Sequence, residues 1–282
     1  MAAPSRWVVL VVSLAGEVAR AEDSGVFPML GGSVGATFDS NVTRTAVPQG
    51  DVSLDLGASG GVGWTSASRA WGLSALALYR GRAWATAIDW STHVLAGSGL
   101  VSWAPLEWLV LGLAPSGGYT LAVDLSRNGP RFDARAFVKV LPADWLQVRV
   151  GYGYLWRDAV DPVFSTQLHD VSALVRVIPL DWLAMSASAT YSAGDDVVFR
   201  DSSDGTGTTS TRRGARWGGT SSTTTYEAQQ VFAHTVAVSA GAEVLLPKGF
   251  SVSADLAWVT SFNDVQPWSS WMPSVLLAWD LP

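Results

Sequence analysis

One short turn recurs along the chain at a fixed interval. It reads P-L-E-W-L at 105–109, P-A-D-W-L at 142–146 and P-L-D-W-L at 179–183, and its tryptophans, Trp108, Trp145 and Trp182, are 37 residues apart each time. One more step back lands on Trp71 in S-R-A-W-G, and a similar turn, P-K-G-F at 247–250, follows a long polar insertion. A constant period means one supersecondary unit used repeatedly. Between turns lie two runs in which apolar and polar residues alternate. In 145–156, Leu146, Val148, Val150, Tyr152, Tyr154 and Trp156 share one face, while Gln147, Arg149, Gly151 and Gly153 share the other. Period 2 is the signature of a strand with one apolar face. The unit is therefore an up strand, a loop and a down strand. The proline suits a strand end because it has no N–H to give a ladder.

Twelve strands follow from this pattern, at about 28–38, 51–64, 71–81, 87–103, 108–124, 131–141, 145–156, 168–178, 182–199, 227–245, 250–262 and 271–281. Pro115 to Gly118 reads as a bulge or break in the fifth. Residues 201–226 are almost all Ser, Thr, Gly, Asp and Arg and read as the longest loop. A propeller blade needs four short strands in such a period, and 37 residues cannot hold four of this length.

The outward faces decide the environment. Charged residues make up only 15 % of the chain, hydrophobic ones 48 %, and mean hydropathy is +0.23. No stretch of ~18 residues is uninterruptedly apolar, so no transmembrane helix is expected. A strand-rich chain this apolar is accommodated by facing lipid as a closed ring, because the bilayer offers no water to unpaired strand edges. The expected fold is all-β: a transmembrane antiparallel up-and-down β-barrel of about 12 strands. An even strand number, short turns on one side and long loops on the other match such barrels. At the N-terminus, Arg6, the apolar run at 7–15 and Ala19-Arg20-Ala21 form a signal-peptide pattern, so cleavage after Ala21 is expected, with 22–282 as the barrel.

Signal sequence, alternating strands, short Pro/Asp turns, aromatic bands and the apolar last strand W-M-P-S-V-L-L-A-W-D-L-P together resemble Gram-negative outer-membrane β-barrels. The resemblance covers nearly all of the mature chain. It implies outer-membrane lipid and lipopolysaccharide as surroundings and the barrel-assembly machinery as a partner. The chain departs from the usual assembly signal, which ends in an aromatic, by ending Leu281-Pro282. F-D-S-N-V-T-R at 38–44 is similar to the opening of barrel families of which some accompany polysaccharide or surface-lipoprotein export.

Composition removes several chemistries. There is no cysteine, hence no disulfide framework, thiol chemistry or Cys-type zinc site. The 3 histidines have no metal-binding spacing, so no metal or other cofactor is expected. A net charge of -6 argues against nucleic acid as a partner. An enzyme reading needs a histidine with a Ser or Asp in reach, and F-D-S-N lacks the histidine of a barrel lipase. No catalytic residue is assigned.

Two residue sets remain. Trp71, Trp108, Trp145, Trp182 and Phe250 follow the short turns and read as a membrane-interface girdle, where amphipathic rings prefer the headgroup level. The residues of opposite parity to the apolar face line a lumen: Asp124, Asp133, Arg135, Lys139, Arg149 and Arg176 on strands 5–8, with Glu243 and Asp255 across from them. Asp170, Asp51 and Asp55 belong to the same parity, and Arg80, Asp89 and His93 join them if strands 3 and 4 follow it. A basic wall facing acids sets up a transverse field that orients small polar solutes in a pore. Mutual ion pairs that merely fill the interior are the alternative. The expected function is a passive or weakly selective channel. A non-conducting barrel serving assembly, adhesion or export is the second reading, and a lipid-modifying enzyme the third.

Overall fold

The computed structural model describes residues 25–42, 44, 48–201 and 226–281. The expected signal peptide at 1–21 and nearly all of the expected loop at 201–226 fall outside them. Twelve antiparallel strands form one closed barrel in which each strand pairs with its chain neighbours and β1 closes the ring against β12. They are β1 (Gly25–Asp39), β2 (Asp51–Thr65), β3 (Trp71–Trp84), β4 (Thr92–Leu106), β5 (Leu109–Ala122), β6 (Gly129–Ala143), β7 (Leu146–Arg157), β8 (Thr166–Leu180), β9 (Leu183–Asp201), β10 (Tyr226–Leu245), β11 (Phe250–Phe262) and β12 (Trp268–Leu281). Even the shortest, β7 with 12 residues, exceeds the ~9–11 tilted residues needed to cross a bilayer.

The 37-residue repeat has a physical cause in the ladder. Register slips between Trp103 and Leu106, between Val140 and Ala143, and between Val177 and Leu180. Pro105, Pro142 and Pro179 sit inside those three interruptions. A residue without an N–H is placed where the ladder is broken anyway. The tryptophan that follows then hands its carbonyl to the next hairpin: Leu141 N–H donates to Trp108 O at 2.8 Å, Ile178 to Trp145 O at 2.7 Å, and Leu245 to Trp182 O at 2.8 Å. The turn is thus the joint between successive hairpins as well as the end of one.

Side-chain parity is continuous around the ring. Val34, Leu56, Leu73, Leu113, Val138, Val150, Val171, Tyr191, Val238, Leu256 and Val275 are exposed on the outer surface. The alternate residues of the same strands face the lumen and are half-buried or buried. A surface this apolar on a ring without edges is what hydrocarbon requires.

Three expectations are corrected. β5 carries no bulge at Pro115–Gly118, where its pairing with β6 runs unbroken from Pro115↔Ala134 to Gly118↔Arg131, but the expected break is present on its other side, where the ladder with β4 skips from Ser98↔Ser116 to Val101↔Leu113 without a change of register. Strand β4 begins at Thr92 rather than 87, because Ile88–Trp90 coil into a 3-10 turn. Strand β5 ends at Ala122 rather than 124, because Asp124 caps a second such turn at Leu125–Arg127. A third 3-10 turn, Pro162–Phe164, lies between β7 and β8. All three sit at the loop end of the barrel, and they carry the aromatic and basic residues that close it.

Candidate functional site: the lumen and its closure

Alternation on β6–β8 turns Arg131, Asp133, Arg135, Lys139, Arg149, Asp170 and Arg176 to the lumen. Several of these charges are matched. Arg135 Nη2 lies 3.4 Å from Asp170 Oδ2, and Arg176 Nη2 donates to Glu243 Oε2 at 2.7 Å. Each pair reaches over an intervening strand, β7 for the first and β9 for the second. Small residues on those strands make room: Gly153 is so close to Asp170 that a Cβ there would stand 2.3 Å from its Oδ2. Arg131 pairs with Asp133 on its own strand, and Arg82 with Asp55. Asp55 also accepts from Thr37 Oγ1 at 2.6 Å. Lys139 and Arg149 stand directly opposite each other in the β6–β7 register, and neither has an ion-pair partner among the described residues. Arg149 instead lies over the Phe137 ring, 4.1 Å from its centroid. Glu243, Asp255 and, near the turn end, Asp280 supply the acidic side on β10–β12.

Asp124 is moved off this wall. Its carboxylate, beyond the end of β5, accepts from Ser126 N–H at 3.1 Å and from Ser126 Oγ at 2.7 Å. Asp51 likewise serves the backbone, accepting from Ala87 N–H at 2.7 Å. Asp89 belongs to the first 3-10 turn rather than to a strand.

His93 is also corrected, since it points outward. So do the other two histidines, and each meets a tyrosine one diagonal step away on the adjacent strand. Tyr79 Oη is 2.8 Å from His93 Nδ1, Tyr152 Oη 2.6 Å from His169 Nδ1, and Tyr191 Oη 2.6 Å from His234 Nδ1. The amphipathic pairs lie toward the loop end of the outer surface. Their partners are tyrosines rather than a Ser or Asp. Among the described residues no group of three or more His, Cys, Asp or Glu could hold a metal. Toward the turn end, Trp71, Trp108, Trp145, Trp182 and Phe250 are exposed at 47 %, 50 %, 54 %, 53 % and 41 %.

Access to the lumen differs between its two ends. From the turn end to mid-barrel, Met29, Ser59, Leu78, Lys139, Leu174, Ser188 and Asp255 keep partial exposure. At the loop end, Asp39, Ser53, Ser192, Ser261 and Ser270 are at 0–1 %. What buries them is a packed cap. Val42, Trp84, Ala87, Trp90, Ala159, Phe164 and Val197 form one apolar cluster. Its members come from the β1–β2, β3–β4 and β7–β8 connections and from β3 and β9, so the cluster joins opposite sides of the ring. The Arg127 guanidinium lies 5.7 Å from the Trp90 ring centroid and 5.9 Å from that of Phe164. Burial first, and the adjacent Arg157 second, lower its pKa to about 10. Arg127 therefore stays charged at neutral pH inside the cap, with Nε and Nη2 lacking hydrogen-bond partners.

Residues 196–198 of β9 are part of the same closure. Val197 and Val198 are successive strand residues, which point to opposite faces, and both are 0 % exposed. Val197 packs in the cap cluster. Val198 packs with Val231, Ala237, Ala257, Val259, Trp268 and Met272 on the lumenal face of β10–β12. This stretch of β9 therefore lies within the mouth. Asp196 anchors it, accepting from Ser261 Oγ at 3.2 Å and from Trp268 Nε1 at 3.3 Å. Gly194 allows the approach: its φ is +151°, and a Cβ would stand 2.1 Å from the Gln167 carbonyl oxygen. The repeat pattern carried no signal for this closure, since a strand that bends inward alternates like one that does not.

No family model and no curated protein matches the chain. Solved structures do resemble it. An outer-membrane channel from Pseudomonas putida F1 superposes with a TM-score of 0.59 over 92 % of this chain and 96 % of that one, at 9 % identity. The NanC porin gives 0.49 over 89 % and 98 % at 9 % identity, and the KdgM porin in complex with disordered oligogalacturonate 0.47 over 88 % and 98 % at 8 %. At such identities a likeness establishes the fold alone, and of these three the Pseudomonas putida channel carries it: a closed β-barrel like that channel's.

Proposed function

We propose that this chain is an outer-membrane channel for small polar solutes, held here with its loop end closed and its turn end open. The observation that carries the reading is the gradient of access along the lumen. Most lumenal residues from the turn end to mid-barrel are partly exposed, with Val110, Ala184, Ser251 and Ala278 as buried exceptions, and above that level most are buried under a cap of loops and residues 196–198 of β9. Twelve strands enclose more than the eight that side chains fill and fewer than the 16 that leave a wide channel. A lumen of that width can be sealed by a few aromatic side chains at one end. Arg135, Lys139, Arg149 and Arg176 form its basic wall, with Asp133, Glu243 and Asp255 as counter-charges. Trp71, Trp108, Trp145, Trp182 and Phe250 then sit at the periplasmic headgroup level, and the three Tyr–His pairs lie toward the lipopolysaccharide side.

Planar-bilayer recording of the purified mature chain tests the reading. The expected result is small, infrequent conductance that rises when the cap is loosened by Asp196→Ala with Trp268→Ala. Complete absence of current in both forms overturns it. The second reading, a non-conducting barrel that serves an assembly or export partner, is favoured by one feature, the rigid packed surface that the closed cap presents. Co-purification of a partner lost on altering Trp90 or Phe164 would support it.

A further inference from the structure

We infer that Lys139 and Arg149 form a lumenal binding site for a small organic carboxylate. The site deepens the channel reading and rests on it in one respect, that solute enters from the turn end. Like charges directly opposite each other on paired strands destabilise a sheet, yet Lys139 and Arg149 are register partners. The acids on the neighbouring strands do not relieve them, because Asp170 is taken by Arg135 and Glu243 by Arg176. Arg149 Nη2 is buried and has no hydrogen-bond partner. An unpaired donor edge beside a second cation is the arrangement that an oxyanion completes, since a carboxylate can accept from both at once.

The surroundings select the rest of the ligand. Phe137 and Leu141 flank Lys139 on the same face of β6, and Leu174 is the register partner of Arg149 on β8. The Phe137 ring already carries the Arg149 guanidinium on one face. These side chains are half-buried and line the accessible part of the lumen. Two cations ringed by apolar side chains suit an anion with an apolar body better than a fully hydrated inorganic ion. They also suit transient occupancy, as passage requires a site that both takes and releases its solute.

Calorimetric titration of the folded mature chain in detergent, with hexanoate, hexanol and sulfate as probes, reads binding without requiring current. Hexanoate is expected to bind, hexanol to bind at least tenfold more weakly, and sulfate at least tenfold more weakly. Lys139→Gln and Arg149→Gln are each expected to weaken hexanoate at least tenfold. Lys248→Gln, at an exposed turn, should stay within about threefold, and Arg149→Lys, which keeps the charge but loses the Nη2 donor and the stacking on Phe137, should weaken hexanoate by more than about threefold. Folding of each variant is checked by its heat-dependent shift on electrophoresis, and the charge-keeping variant carries the test if a neutral one fails to fold. No hexanoate binding, equal binding of sulfate, or binding unaffected by both neutral variants overturns the site. A channel that conducts without binding hexanoate refutes this site alone, and a chain that binds hexanoate without conducting refutes only the channel reading.

Discussion

Arg176 and Glu243 meet at 2.7 Å across β9, a strand whose register partners for them, Ser186 and Ala184, are both small. The pair ties β8 to β10 without covering the lumen. It also sets the charge of the turn-side vestibule, because it neutralises the cation closest in register to Gln147, next to the Lys139–Arg149 pair.

Glu243→Gln frees that cation. The variant is expected to shift the reversal potential in a KCl gradient toward anions, and Arg176→Gln to shift it the opposite way. The double variant should return close to the wild-type value, since the pair is neutral as a unit. An unchanged reversal potential in both single variants would mean that ions do not pass this level.

The cap should be the weakest part of the closed barrel. Arg127 is held by aromatic faces and one hydrogen bond to the Asp89 carbonyl oxygen, with two donors unpartnered, and a buried donor left unsatisfied costs about 1–3 kcal/mol. Asp196→Ala removes the acceptor of both Ser261 and Trp268, at about 1.5–3 kcal/mol for each hydrogen bond to a charged group. Sugar-driven swelling of liposomes carrying this variant is expected to be faster than wild type, with the far-ultraviolet strand signal unchanged. Equal swelling rates would place the seal elsewhere.

Val150 and Arg149 are neighbours in sequence and face opposite environments. Val150 is 49 % exposed on the outer surface, and Arg149 is in the lumen. Val150→Arg is expected to cost about 2–4 kcal/mol of stability in liposomes, the depth-dependent cost of arginine on a lipid face. Gln147→Arg, on the lumenal face, should cost under about 1 kcal/mol. Urea titration followed by tryptophan emission measures both. Equal costs would contradict the assignment of faces.

Much of this was legible because period 2 and the proline turns are local signals. β7 shows it best: Leu146 to Tyr154 alternate without exception, and parity alone puts Arg149 in the lumen. β3 and β4 show the limit. Leu76 and Leu78 face the lumen while Ala75 and Ala77 face outward, so hydrophobicity does not separate the faces there, and His93 reads as lumenal when it pairs outward with Tyr79. Asp124 was misplaced because strand pattern continues through Leu121 and Val123 although the ladder stops at Ala122. The cap was not legible at all. Trp90, Arg127 and Phe164 lie in three separate loops, and only closure of the ring brings them together.

Gly153 is the position where a single methyl group tests the lumenal network. A Cβ there would lie 2.3 Å from Asp170 Oδ2, and the contact is with a side chain, so Asp170 can turn away. Doing so breaks its approach to Arg135, which leaves that cation without a counter-charge in a partly buried wall. Gly153→Ala is therefore expected to lose about 1–3 kcal/mol, the usual range for overpacking, and to raise anion preference in the same direction as Glu243→Gln. Gly117→Ala is the control, because nothing lies within 4 Å of a Cβ at that outward position. Urea midpoints for the two alanine variants should separate. Coincident midpoints would show that Asp170 is free to move and that the Arg135 pair holds nothing in place.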